Sequence, residues 1–161
     1  AVGRMVLDDS ASTVRLLGGA QIDLGGVGKG WVLDRASELL GKHRIGSALL
    51  HGGTSSAMGL GGRWGISVLC GRNGRREPRT VVLADRVLSV SAPRGRMVEV
   101  GGRVGRPADD HIDTAFVTGP VGTATECEVW SKVLVVLGRR PAGIPENLET
   151  WMHDADGWRS E

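Results

Sequence analysis

The sequence predicts an α+β fold, a mixed β-sheet with two principal helices, and two observations carry that prediction. Short apolar-rich runs bounded by glycine and polar turns recur along the chain and read as strands. Only over residues 29–41 and 125–138 does the apolar period lengthen to that of a substantial helix. Strands thus come in runs interrupted by helices, which differs from the regular alternation of a parallel α/β sheet.

Taken in order, residues 4–8 and 13–17 read as a hairpin around a polar Asp-Ser turn, and residues 20–24 as a further strand ending in glycines. A helix of about three turns then begins at Gly28 or Lys29 and stops near Gly41. Its expected inner face is Trp31, Val32, Ala36, Leu39 and Leu40, with Asp34, Arg35, Glu38 and Lys42 opposite. Residues 47–50 form a strand running into the tight turn His51-Gly52-Gly53. Residues 64–69, 80–84, 88–92 and 97–100 read as strands, residues 103–114 as polar and irregular, and residues 115–118 as a short strand stopped by Gly119-Pro120. Thr123 and Glu126 stand at capping-box spacing before a helix carrying Val129, Trp130, Val133, Leu134 and Leu137, closed by Gly138. The tail predicts a Pro-rich link, a short helix near residues 146–150 and a final strand ending at Asp156-Gly157. Without a repeat or low-complexity linker, residues 1–161 read as one domain.

Composition narrows the function. Glycine is abundant at 26 of 161 residues, while aromatics amount to five Trp and one Phe, so turns and close backbone approaches are many. Twenty basic residues against eighteen acidic ones leave a formal charge of +2, too little field to hold a polyanion, and no nucleic-acid partner is expected. The arginines at 72, 75, 76 and 79 read as a solvated loop between strands. Cys70 and Cys127 form no CxxC pair and have no metal-ligand spacing. The tryptophans read as core packing. No apolar run approaches the ~18 residues of a membrane span, and the first ten residues show no signal-peptide pattern.

The stretch most informative about chemistry is Asp23-Leu-Gly-Gly-Val-Gly-Lys-Gly-Trp-Val-Leu-Asp34. A strand runs through glycines into a helix whose first turn carries Lys29. Helix N-termini expose unpaired N–H groups and a positive dipole end, and glycines let the backbone approach a phosphate closely. It is neither a P-loop, since Gly30 follows the lysine, nor a GxGxxG motif. On chemistry alone, a phosphate cradle and a tightly packed turn with no ligand fit it equally well.

This string resembles the signature of the FAD:protein FMN transferase (ApbE-like) family, an Asp-Leu-Gly-Gly-Ile-Ala-Lys-Gly-Tyr run with an aspartate beyond. Later landmarks resemble the family in order: residues 49–59 (LLHGGTSSAMG, with Thr54 where aspartate is usual), Trp64-Gly-Ile-Ser-Val, residues 88–92 (LSVSA), and residues 125–138 (TECEVWSKVLVVLG), which resemble its magnesium-site helix. The likeness implies the ApbE-like flavin transferase fold without its N-terminal part. It also implies that FMN moves from FAD to a Thr or Ser hydroxyl of an acceptor flavoprotein, with Mg²⁺ present and AMP released.

Residue by residue, the resemblance implies flavin contacts at Asp23 and Lys29, a backbone carbonyl on Mg²⁺ at Gly26, and metal positions at Glu128 and Lys132. Glu128 replaces an aspartate and Lys132 a threonine. A protonated lysine does not ligate, so Lys132 either pairs with Glu128 one turn away or stands near a phosphate in the metal's place. A solvated pair of no consequence fits equally. The family's His-x-x-Asp segment reads as deleted before Gly105-Arg106-Pro107, which leaves the catalytic residue unassigned. The alternative register, with His111-Ile-Asp113 as a shortened motif, leaves too few residues before the helix. Asp109, Asp110, His111 and Asp113 read as an acidic loop, His51 as a strand-end residue and Asp34 as a local cap or pair. The alternative to a working transferase is a degenerate member that binds flavin or scaffolds. The resemblance further suggests the cell envelope or periplasm, which nothing in the chain itself specifies.

Overall fold

The computed structural model describes residues 4–70, 77–92, 98–100, 103–105 and 112–160. Its centre is a six-stranded sheet of β3 (Ala48–His51), β4 (Ser56–Leu60), β7 (Arg86–Ser91), β10 (Thr114–Pro120), β11 (Glu149–Asp154) and β12 (Gly157–Ser160), in the order β12-β11-β10-β7-β4-β3. Each neighbouring pair is antiparallel. Three separate two-stranded hairpins accompany it: β1 (Met5–Asp8) with β2 (Thr13–Leu16), β5 (Trp64–Cys70) with β6 (Glu77–Leu83), and β8 (Val98–Val100) with β9 (Arg103–Gly105). The helices are α1 (Gly28–Lys42) and α2 (Ala124–Leu137).

The period-2 rule of strands divides the core between the two faces of the sheet. Met58, Val87, Ala115 and Val117 point to one side, where Leu33 of α1 and Ala124, Cys127, Leu134 and Val135 of α2 join them. Their neighbours Ala57, Leu88 and Phe116 point to the other, against Val68 and Leu83 of the β5–β6 hairpin and the edges of Trp64, Trp151 and Trp158. Phe116 stacks on Trp151 with centroids 6.1 Å apart and meets Trp158 edge-on at 5.2 Å. Arg79 lays its guanidinium 3.6 Å from the Trp151 ring centre, a cation–π contact that closes this layer.

Several sequence expectations are corrected. The α1 face is rotated from the expected one: Trp31, Val32 and Leu39 are exposed and Ala36 and Leu40 half-buried, whereas Gly30, Leu33 and Asp34 are buried; Arg35, Glu38 and Lys42 face outward as expected. The buried set follows the same helical spacing as the apolar one, but it is chosen by backbone contact with α2, which the hydrophobic pattern does not encode. Residues 20–24 form no strand, while β4 and β9 arise where none was expected. Residues 146–150 are a turn entering β11 rather than a helix, and Ala155-Asp156 is the turn between β11 and β12, which Gly157 begins. Thr123 makes no capping hydrogen bond to α2; its hydroxyl donates back to the Pro120 carbonyl at 2.8 Å. Gly138 does close α2, with φ +66°. Asp109, Asp110, His111 and the arginines at 72, 75 and 76 lie outside the described residues.

Candidate functional site

The glycine segment turns sharply into α1. The Asp23 carboxylate accepts the Gly25 N–H at 2.7 Å, and Val27 and Gly28 donate to the Leu24 carbonyl at 3.0 and 2.8 Å. Val27, the residue before the helix, has no side chain able to cap it. The cap comes instead from 98 residues away: Oε2 of Glu128 accepts the Gly30 N–H at 2.5 Å. Its other oxygen, Oε1, accepts from Lys29 Nζ at 2.5 Å and from Lys132 Nζ at 3.2 Å. Glu128 is fully buried, so both its oxygens are spent on this cluster.

The capping is reciprocal. Asp34, on the same face of α1 as Gly30, sends one carboxylate oxygen to the Ala124 N–H at 2.9 Å and the other to the Thr125 N–H and hydroxyl at 3.0 and 2.7 Å. These are first-turn donors of α2, which have no partner inside their own helix. Gly30 makes the crossing possible: a Cβ there would stand 2.3 Å from the Ala124 carbonyl oxygen and 2.6 Å from the Thr125 Cα. On the sheet side, Ser131 of α2 hydrogen-bonds Ser91 at 2.9 Å and Ser89 at 3.3 Å, and donates to the Glu128 carbonyl at 3.0 Å. The helix bearing Glu128 and Lys132 is therefore pinned from both sides.

The cluster of Lys29, Lys132 and Glu128 carries one net positive charge. Burial pushes the Glu128 carboxyl up, but the Lys29 ammonium, the Gly30 N–H and Lys132 together outweigh it and hold the group below its ordinary range. Burial pulls the Lys132 ammonium below the usual lysine value, against the opposing pull of Glu128. Beside the cluster opens a cleft of about 400 Å³ lined by Leu24, Gly25, Gly28, Lys29, Val32, Gly52 and Gly53. The stem of Lys29 forms its wall; a Cβ on Gly52 would lie 3.2 Å from Lys29 Cβ. Gly26 lies over Lys132, where an added Cβ would meet Lys132 Cδ at 3.7 Å.

Of the residues singled out from sequence, Lys29, Glu128 and Lys132 meet directly and Gly26 covers them. Asp23 is exposed and shapes the turn, while His51 is exposed at the end of β3 ahead of the cleft glycines. Two features escaped sequence reading, the Asp34 cap on α2 and the serine contacts under Ser131. Only the i, i+4 spacing of Gly30 and Asp34 hinted at the first.

Fold and site together define an α+β protein with a glycine-lined, lysine-bearing cleft at the N-terminus of α1. The chain belongs to the ApbE family, whose model matches residues 2–149. It is similar in structure to the flavin transferase ApbE of Vibrio cholerae (TM-score 0.74, 14% identity), which covers all of this chain and 56% of its own. Similar too are the Pseudomonas stutzeri flavinyl transferase ApbE in its apo form (TM-score 0.72, 16% identity, 56% of that chain) and the ApbE protein of Thermotoga maritima (TM-score 0.76, 17% identity, 58% of that chain), each covering this whole chain. The chain thus spans little more than half the length of these structures. No curated protein sequence matches it.

The Mg²⁺ that the resemblance attaches to Gly26, Glu128 and Lys132 does not fit the donors as they stand. Mg²⁺ demands near-octahedral oxygen ligation at about 2.0–2.1 Å. Both Glu128 oxygens are already engaged, one by two ammonium groups. Among the described residues no three His, Cys, Asp or Glu side chains gather as an alternative. No helix among the described residues is long and apolar enough to cross a membrane.

Proposed function

We propose that this chain is the nucleotide-phosphate-handling portion of an FAD:protein FMN transferase. The observation that supports this most is Lys29, at the N-terminus of α1 and in the wall of the glycine-lined cleft, in a chain of the ApbE family. In this reading Lys29 and the glycine-lined mouth of the cleft receive the pyrophosphate of FAD, and Asp23 fixes the turn by accepting the Gly25 N–H. The hydroxyl oxygen of a Thr or Ser on an acceptor flavoprotein attacks the FMN phosphorus. The bond from that phosphorus to the bridging oxygen breaks, AMP leaves with that oxygen, and the hydroxyl proton passes to a base that the described residues do not identify.

The positive end of α1 and its lysine oppose the charge that builds on the pyrophosphate oxygens. No step runs through Mg²⁺ at Glu128, whose oxygens are taken. Flavin nucleotide and acceptor flavoprotein are the partners, nucleic acid is not, and the cell envelope is the proposed location. The test is to incubate the protein with FAD and an acceptor flavoprotein, then measure AMP release and covalent FMN by mass spectrometry. Equal amounts of both support the reading. FAD binding without either product favours the second reading, a flavin-binding member without catalysis, which the engagement of Glu128 as a helix cap supports.

A further inference from the structure

We infer that this protein binds the phosphates of its nucleotide without a divalent cation, Lys132 supplying in covalent form the positive charge that a bound metal would bring. The inference rests on the flavin-nucleotide reading for the identity of the ligand, but its evidence is separate. Three donors converge on one buried carboxylate: Lys29 Nζ and Lys132 Nζ on Oε1, and the Gly30 N–H on Oε2. A divalent ion at Oε1 would have to displace both ammonium groups, breaking two ion pairs to a buried carboxylate, or sit beside them with like charges in contact. Displacing the Gly30 N–H from Oε2 would uncap α1.

The arrangement also has the right net charge. One carboxylate against two ammonium groups leaves a single positive charge under the Gly25-Gly26 turn, next to the helix N-terminus. Lys132 lies under Gly26 and is partly buried, with its head held 3.3 Å from the Glu128 carbonyl and 3.2 Å from its side-chain Oε1. Such a lysine is a fixed charge rather than a floating surface one. Lys29 forms the cleft wall, so an anion entering beside Gly25, Gly28 and Gly53 meets its ammonium first, with Lys132 behind it across the Glu128 carboxylate.

The test is isothermal titration of the folded protein with two probes, FAD and inorganic pyrophosphate, each in excess EDTA and again with saturating Mg²⁺. Wild-type affinity within about twofold across the two conditions is expected. Lys132→Thr should lose about tenfold or more of the metal-free affinity, the worth of a charge-assisted hydrogen bond, and Lys132→Arg should retain most of it. Circular dichroism on each variant keeps lost binding separate from lost folding. Binding of either probe only when Mg²⁺ is present overturns the inference and leaves the flavin reading standing. Metal-free binding of pyrophosphate but not FAD supports the inference and removes the flavin. Heat from neither probe in either condition overturns both.

Discussion

Asp34 and Glu128 cap each other's helix. Asp34, on α1, receives the first-turn donors of α2; Glu128, on α2, receives the Gly30 N–H of α1. Neither helix has a capping side chain from its own N-terminal flank. Each therefore depends on the other for groups that would otherwise be buried without partners, and the glycine at position 30 brings the two backbones into contact. The site and the stability of the helix pair share the same atoms, which makes both testable by the same substitutions.

Asp34→Ala leaves the Ala124 and Thr125 N–H groups without acceptors. The expected loss is about 2–3 kcal/mol, combining a lost cap with unsatisfied buried donors. Asp34→Asn, which keeps one acceptor oxygen, should lose roughly half as much. Urea denaturation midpoints of the two variants check the order, and an alanine variant as stable as the parent would remove the cap from the account.

Gly30→Ala has no room, because backbone atoms of α2 stand where its Cβ would go. Overpacking of this kind costs about 3 kcal/mol or more when the obstacle is backbone. Gly28→Ala, two residues earlier and with nothing within 4 Å of the added Cβ, should be neutral or stabilising by up to about 1 kcal/mol. Thermal melts of the pair separate a close-approach glycine from a merely permissive one.

Glu128 ties stability to acid pH. Its folded-state pKa is depressed, so the unfolded chain binds the extra proton first as pH falls. The contribution is therefore complete above the ordinary glutamate range, about 4.3, and is lost as pH drops through the lower folded value. Glu128→Gln should remove this acid-limb dependence and cost about 2 kcal/mol at neutral pH, below the usual buried-pair value because both lysines are partly exposed. Stability measured from pH 3 to 7 for both proteins is the check. Parallel curves would show that Glu128 does not carry the effect.

Cys127 is buried, and burial pushes its thiol up to about 12. A thiol-disulfide reagent at neutral pH should leave it unmodified in the native protein and label it at once in denaturant. Rapid native labelling would mean that α2 opens far more readily than its packing implies.

Much of this was legible beforehand, for reasons that differ by element. Both helices follow from long periodic stretches, α2 with a clear glycine stop at Gly138 while α1 runs through Gly41 to Lys42, and most strands follow from apolar runs between turns. The meeting of Lys29, Glu128 and Lys132 was legible only through the resemblance, because 99 residues separate Lys29 from Glu128. The buried face of α1 was misread since Trp31, Val32 and Leu39 outscore Gly30 in hydrophobicity, yet a glycine is what allows two backbones to touch. The α2 cap was assigned to Thr123 by local spacing, whereas Asp34 wins it through tertiary contact. β4 was hidden by its small residues, Ser56, Ala57 and Gly59, whose burial between β3 and β7 replaces side-chain bulk.

The central claim is that the lysine-bearing cleft at the start of α1 receives a flavin nucleotide. Equilibrium titration of the folded protein with FAD, run beside Lys29→Met, tests it most directly. The account predicts saturable binding to the parent and a loss of about tenfold or more in the variant, as expected when one charge-assisted contact is removed. No binding to the parent, or equal binding to both proteins, would contradict it.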